Sequence, residues 1–225
     1  MNRYDQVVVQ PRARAGAVSI NKVLRQTYML LSMTLLFSAL MSGVALAIGV
    51  GPGLAMVADL VALGLLWLVL PRTANSGAGI GVVFAITGLL GLGLGPMLEY
   101  YLAIPGGTRL VMTALGGTGV VFLGLSAYAL TTRRDFSFLG GFLFVGLIVA
   151  MIAMVANLFL GIPALSLATS AIVVLIMSGL ILFDTSRIIH GGETNYVMAT
   201  IALYLDLYNL FIHLLNLLGA FSSDD

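Results

Sequence analysis

Residues 163–219 read PALSLATSAIVVLIMSGLILFDTSRIIHGGETNYVMATIALYLDLYNLFIHLLNLLG. Two apolar runs, 163–186 and 196–219, flank a short polar stretch, and each run has the roughly 20 apolar residues that a helix needs to cross a bilayer. The apolar residues are continuous and do not alternate with polar ones, which favours helices over the strands of a barrel. This stretch therefore predicts two consecutive membrane helices.

Five further apolar runs precede this pair, and turn residues such as Gly51-Pro52-Gly53 separate them. Of the 225 residues, 60% are hydrophobic and 8% are charged. A soluble domain carries roughly 25% charged residues, so this chain could not cover a soluble surface. We predict an all-α polytopic membrane protein, a bundle of seven transmembrane helices formed by residues 26–50, 53–71, 78–98, 108–132, 137–160, 163–186 and 196–219.

The basic residues predict the orientation of the bundle. All Lys and Arg residues except Arg109 fall in the N-terminal segment or in loops that seven spans would place on the same side. By the positive-inside rule this side is cytoplasmic, so we expect the N-terminus in the cytoplasm and the C-terminus outside. We expect a flexible cytoplasmic tail over residues 1–20 and a seven-helix transmembrane domain over residues 21–225. The tail either sets the topology or is a segment that another protein engages.

The composition excludes several classes of function. The chain has no cysteine, which excludes disulfides, thiolate zinc sites and cysteine nucleophiles. The net charge of +1 does not favour nucleic acid as a partner. No serine stands in a G-x-S-x-G elbow or beside a His/Asp constellation, so we expect no enzymatic activity and no cofactor. A purely structural or enzymatic membrane protein is therefore the least favoured interpretation.

Small residues recur at intervals of four on span three. The two motifs are Gly77-x-x-x-Gly81 and Gly91-x-x-x-Gly95. Glycines at this spacing let the backbones of neighbouring membrane helices approach closely. Both motifs therefore predict tight helix packing within the bundle.

Polar residues form one narrow stripe on span seven: Asp206, Asn209, His213 and Asn216. Their spacing of three or four residues confines them to an arc of about 80° on a helix. An acid at the centre of a membrane helix costs on the order of 2.5–3.5 kcal/mol, so the stripe should face the interior of the bundle. This places span seven at the centre. The stripe is either a pathway for ions or protons or a set of hydrogen bonds that joins helices.

Asp184 lies near the end of span six, and its carboxyl can meet that of Asp206 if the two spans are offset or kinked. Two carboxyls in a medium of low dielectric constant share a proton, because both cannot ionise cheaply. Such a pair would be a pH sensor and a weak calcium site. Alternatively, Asp184 forms a salt bridge with Arg187 or an interfacial hydrogen bond. Arg72, at the end of span two, is either a positive-inside anchor or a candidate latch that pairs with Asp184.

Several stretches resemble one known family. Residues 182–187 (LFDTSR), 190–196 (HGGETNY) and 203–211 (LYLDLYNLF) look like the C-terminal signature of the Bax inhibitor-1 (TMBIM) family. Residues 134–139 (RDFSFL) resemble the loop before span five in that family. Within the family, the likeness to the bacterial YccA group is carried by HGGETNY together with two further stretches, residues 21–28 (NKVLRQTY) and 130–135 (LTTRRD).

The resemblance implies a seven-span protein of the bacterial inner membrane, so that its C-terminus would be periplasmic, with one of two roles. The YccA group modulates the membrane AAA protease FtsH, which works with HflK/HflC, and this is the role we expect. The alternative is a pH-sensitive calcium leak channel, a property associated with other family members. The two sensor aspartates of the family match Asp184 and Asp206, and its latch arginine corresponds loosely to Arg72. In the channel role, calcium would be the transported ion. In both roles, the lipid bilayer is a partner.

Overall fold

The structure is a computed structural model, and it describes the backbone of residues 10–222 and the side chains of residues 20–222. Within these residues the chain forms seven helices that are long and apolar enough to span a membrane, and no strand. The prediction of an all-α, seven-span membrane protein is confirmed. The helices are α1 (Gln10–Ile48), α2 (Pro52–Thr73), α3 (Ala78–Ala103), α4 (Gly107–Thr132), α5 (Leu139–Leu160), α6 (Pro163–Ile189) and α7 (Tyr196–Ser222).

The first helix extends beyond the apolar run that predicted it. α1 begins at Gln10, whereas its apolar span begins at Ile20. Pro11 is tolerated there because N–H groups in the first turn of a helix have no acceptor within the helix, so a proline at this position breaks no hydrogen bond. The predicted flexible tail, residues 1–20, is therefore helical from Gln10 onward, and residues 1–9 lie outside the described residues.

Prolines make α2 and α3 irregular. In α2 a π-helical turn, Leu65–Val69, directly precedes the segment that contains Pro71. Proline donates no backbone hydrogen bond, and a widened turn accommodates the carbonyl groups that it leaves free. α3 consists of two segments, Ala78–Gly93 and Gly95–Ala103, and the second has a proline in its first turn.

α7 lies at the centre of the bundle, as the polar stripe predicts. It packs against α1, α3, α4 and α6. Its side chains Leu203, Tyr204, Leu210 and Leu215 are completely or almost completely buried. α5 packs on α6 and exposes most of its apolar surface to the surroundings.

Three loops gather at the end of the bundle where α1 enters, which we call the N-terminal end. Asn195, before α7, donates from Nδ2 to the carbonyl of Ala74, after α2, at 3.0 Å. His190, after α6, has Nε2 3.1 Å from the carbonyl oxygen of Arg133, after α4. The opposite end, where α7 finishes, is the C-terminal end.

Two residues of the HGGETNY stretch build the turn between α6 and α7. Gly191 has a φ of +74°, a conformation that glycine adopts without steric penalty. Asn195 caps α7, because its Oδ1 accepts hydrogen bonds from the N–H groups of Val197 and Met198 at 2.9 and 3.2 Å. The same side chain thus starts α7 and ties it to the α2–α3 loop.

The two glycine motifs of α3 differ in their surroundings. A Cβ on Gly91 would collide with the backbone carbonyl of Ser38 in α1, and a Cβ on Gly95 would also meet α1, at 2.8 Å. A Cβ on Gly77 or Gly81 would meet nothing within 4 Å. The prediction of tight packing is confirmed for Gly91 and Gly95. It is wrong for Gly77, which lies just before α3, and for Gly81, because the Cβ positions of these two glycines point into open space.

Candidate functional site: a carboxyl pair between α6 and α7

The carboxyl groups of Asp184 in α6 and Asp206 in α7 lie within hydrogen-bonding reach of each other. Asp206 is only 4% exposed. Its Oδ2 has no hydrogen-bond partner among the side chains that the structure describes, residues 20–222. A single proton held between the two carboxyls joins them without placing two negative charges side by side. The structure thus brings together two aspartates whose contact the sequence left open.

The contact depends on an offset between the two helices. Asp184 lies five residues before the last residue of α6, and Asp206 lies ten residues after the first residue of α7. For the two side chains to lie at the same depth, at 1.5 Å per residue, the first residue of α7 must lie about 7 Å farther out at the N-terminal end than the last residue of α6. The bond of Asn195 to the α2–α3 loop holds the start of α7 in that position.

Arg187 supplies the positive charge beside the pair. Its Nη1 lies 3.5 Å from Oδ1 of Asp184, and its Nη2 lies 3.5 Å from Oε2 of Glu193 in the α6–α7 turn. Its guanidinium also lies over the ring of Phe183, 5.5 Å from the centroid. The salt bridge of Asp184 with Arg187 and the carboxyl pair were predicted as alternatives, and the structure contains both.

The candidate latch at Arg72 is not formed in this structure. The Arg72 side chain is exposed and donates a hydrogen bond to the carbonyl of Leu68 in its own helix. Thr73 donates in the same way to Val69 at 3.0 Å. Both side chains thus satisfy carbonyl groups near Pro71. Within residues 20–222 the arginine paired with Asp184 is Arg187, not Arg72.

The other three members of the stripe do not join the carboxyl pair. Asn209 donates from Nδ2 to the carbonyl of Leu205, one turn back in α7, at 2.8 Å. His213 is buried, and its Nδ1 lies 3.1 Å from Oγ of Ser170 in α6. His213 and Asn216 line a polar cavity of about 280 Å³ between α5, α6 and α7 at the C-terminal end. The bond of His213 to Ser170 is the kind of contact that joins helices, whereas Asp206 reaches a titratable partner.

A hydrogen-bond network beside the pair was missed by the sequence analysis. Ser186 Oγ accepts a hydrogen bond from the backbone N–H of Phe136 at 3.0 Å. His190 places Nδ1 2.9 Å from the carbonyl oxygen of Ser186 and Nε2 near Arg133. The network joins the RDFSFL loop to the LFDTSR stretch. No spacing in the sequence indicates it, because Phe136 and Ser186 are 50 residues apart.

A second intramembrane carboxyl, that of Asp59 in α2, lies away from the pair. It occupies the space beside Gly93 of α3, where a Cβ would collide with it. Its Oδ1 is buried and has no hydrogen-bond partner among the described side chains. Glycine at position 93 therefore lets α2 pack closely against α3 despite the buried acid.

Comparison with known proteins agrees with the motifs. The family model described as "Inhibitor of apoptosis-promoting Bax1" matches residues 20–223. The chain is 50% identical over 220 residues to an Escherichia coli (strain K12) protein named "Modulator of FtsH protease YccA", covering 98% of this chain and 100% of that one. It is 50% identical over 205 residues to a Vibrio cholerae membrane protein, covering 91% and 92% of the two chains. It is also 46% identical over 206 residues to a Pseudomonas aeruginosa protein, covering 92% of each. With its seven spans and its matching motifs, the chain belongs to the Bax inhibitor-1 family.

Proposed function

We propose that this protein binds and modulates the membrane AAA protease FtsH. The observation that carries the proposal is the 50% identity, over 98% of the chain, to the E. coli protein named as a modulator of that protease. The alignment includes every helix and the loops at both ends of the bundle, so a partner surface of the relative has a counterpart here. We extend the proposal to an assembly with HflK/HflC.

We place the protein in the bacterial inner membrane with its N-terminus in the cytoplasm. Arg72 and Arg187 lie in the last turns of α2 and α6, and Arg133 and Arg134 lie in the α4–α5 loop, all at the N-terminal end. Arg109 lies at the C-terminal end. The excess of positive charge at the N-terminal end supports this orientation. The E. coli relative also carries the name "Inner membrane protein YccA" in a second strain.

The N-terminal segment, residues 1–20, is the proposed point of engagement. It contains Arg3, Arg12, Arg14 and Asp5 and has no long apolar run. A processive protease needs an accessible polypeptide end, and this segment would be available on the cytoplasmic side. The bundle behind it is tightly joined, which supports resistance to extraction: Ser42 Oγ, for example, donates to the carbonyl of Gly91 at 2.9 Å and so ties α1 to α3.

Capture of FtsH from solubilised membranes tests both parts of the proposal. The full-length chain should capture FtsH and slow the degradation of an FtsH substrate. A variant lacking residues 2–18 should lose capture while a topology reporter at the C-terminus shows unchanged insertion. If the truncated chain captured FtsH equally well, the N-terminal segment would not be the point of engagement. If the full chain captured no FtsH, the modulator function itself would be rejected.

The carboxyl pair favours a second function, a pH-sensitive calcium leak. When the shared proton leaves, Asp184 and Asp206 become two adjacent negative charges that repel each other or bind a cation. Calcium takes 6–8 oxygen ligands, so two carboxylates would hold it weakly and partly hydrated. Calcium flux into liposomes that contain the purified protein tests this function, and the two roles are compatible.

A further inference from the structure

A cavity of about 440 Å³ lies beside α7, on the side of that helix opposite Asp206. Residues of α1, α3 and α4 form its walls, and Tyr204, Leu207 and Phe211 of α7 form its floor. We call this space the side cavity. It is separate from the carboxyl pair and from the polar cavity at His213, whose lining shares no residue with it.

The side cavity opens laterally between α1 and α4. Both helices pack on α7. Toward the N-terminal end they meet through Tyr28 and Phe122, whose ring centroids are 5.8 Å apart, and toward the C-terminal end the cavity separates them. Leu115 on the α4 wall is 51% exposed, whereas Leu207 on the floor is 5% exposed. An exposed rim above a buried floor, at the depth of the membrane spans, means that the mouth faces lipid.

The walls offer nothing to a polar ligand. Most of the lining is aliphatic or aromatic. Hydroxyl groups are also present, and each has a protein partner within 3.5 Å: those of Ser38, Ser42, Thr118, Tyr204 and Tyr208. A bound water needs two to four polar partners, and a dry apolar cavity takes an apolar ligand instead. The chemistry that fits is therefore a hydrocarbon.

We propose that the side cavity is a binding site for one acyl chain of a membrane phospholipid. The chain enters from the leaflet at the C-terminal end, because the mouth lies in that half of the bundle. A transmembrane helix is about 10 Å in diameter with its side chains, and a cavity of about 440 Å³ has room for little more than one turn of it. An apolar cavity left empty lowers stability in proportion to its volume, and lipid chains are the molecules present at the mouth.

Two glycines give a way to fill the cavity without disturbing the backbone. Gly43 of α1 and Gly119 of α4 both line it, and a Cβ on either would meet nothing within 4 Å. A leucine at either position can extend into the space that the acyl chain occupies. Gly116, also on α4, has equally open surroundings but does not line the cavity, so Gly116→Leu is a matched control.

Photolabelling from the lipid tests the site in the full-length protein. The protein is placed in nanodiscs that contain phosphatidylethanolamine with a diazirine midway along one acyl chain, and labelled residues are mapped by mass spectrometry after illumination. We expect labels on the floor residues Leu207 and Phe211 in the unaltered protein and in Gly116→Leu. Gly119→Leu and Gly43→Leu should lose the floor labels. Phe159 of α5, which is 85% exposed, should be labelled in every sample and serves as the internal reference.

Two results would overturn the proposal. One is an unlabelled floor in the unaltered protein when Phe159 is labelled. The other is floor labelling that is the same in the cavity-filling variants and in Gly116→Leu. The first result needs only the unaltered protein. The second can be obtained from either filling variant, because Gly43→Leu and Gly119→Leu fill the cavity from different walls, so one variant that does not fold leaves the other.

Discussion

Asp206 in the central helix α7 lies within hydrogen-bonding reach of Asp184 in α6, and Arg187 binds Asp184 from one turn farther along α6. The two carboxyls therefore form one titrating unit at the contact of two packed helices. Loss of its proton adds a negative charge at that contact and opposes the packing of α6 on α7. The predictions begin with this pair.

Asp206→Asn should abolish the pH dependence of calcium flux in liposomes over about pH 6 to 8. The amide keeps the shape of the side chain and a donor for Asp184, but it removes the charge that would appear when the pair loses its proton. Asn209→Ala is the control, since the Asn209 amide bonds to its own helix, and it should keep the pH dependence. Unaltered pH dependence in Asp206→Asn would exclude the pair as the gate. Capture of FtsH should be equal in both variants.

Tyr204→Phe should lower the free energy of unfolding by about 1 kcal/mol. The hydroxyl of Tyr204 lies 2.6 Å from Oγ of Ser38 in α1, and both groups are buried, so the substitution leaves Ser38 without that partner. The free energy can be measured by titration with a denaturing detergent. Tyr100→Phe, at an exposed ring, should have almost no effect. Equal effects of the two substitutions would mean that the Ser38–Tyr204 bond does not stabilise the bundle.

Asn195→Ala should destabilise the protein by about 1 to 2 kcal/mol, because α7 loses its N-cap and the α2–α3 loop loses a donor. Asn195→Asp keeps the oxygen that caps α7 but loses the Nδ2 donor, so it should recover only part of the loss. Unfolding of the two variants in the same detergent series separates the cap from the loop contact. Identical losses would show that capping contributes nothing here.

Gly91→Ala should destabilise the bundle by about 1 to 3 kcal/mol, the usual cost of an extra methyl group in a packed core. Its Cβ would collide with the carbonyl of Ser38 and push α1 away from α3. Gly81→Ala on the same helix has open surroundings, so it should be neutral or slightly stabilising. Thermal stability in detergent provides the comparison. A ranking in which Gly81→Ala is the less stable variant would contradict the packing described for α3.

Ser137→Ala should raise the pKa of Asp135 in the α4–α5 loop. The hydroxyl and the N–H of Ser137 both donate to Asp135 Oδ1, and these bonds hold the pKa of the carboxyl below its usual value. A lowered pKa in the folded state contributes stability above the unfolded pKa of about 3.9, and this contribution disappears as the pH falls through the folded pKa.

The titration of Asp135 can be followed by the NMR signal of its carboxyl carbon in labelled protein. Ser137→Thr retains a hydroxyl and should leave the titration nearly unchanged. A titration of Ser137→Ala that coincides with that of the unaltered protein would show that the bond from the Ser137 hydroxyl does not lower the pKa of Asp135.

The sequence by itself determined the membrane helices and the central helix. Apolar runs of this length must satisfy their backbone hydrogen bonds internally, which leaves helices as the only form for them. A polar stripe from Asp206 to Asn216 must be kept away from lipid, which places α7 inside the bundle. The motifs around Asp184 and Asp206 also indicated the family, because their residue types and spacing are local properties of the chain.

Only the tertiary structure decided which side chains meet. Asp184 pairs with Asp206 and Arg187, while Arg72 binds its own helix near Pro71. His213 contacts Ser170 and does not join the carboxyl pair. Each outcome depends on the offset of one helix along another, and that offset follows from contacts such as Asn195 with Ala74 between residues 121 positions apart. Helical periodicity specifies which face of a helix a residue occupies. The depth of that residue in the bundle and its contact partner are set by packing between distant segments.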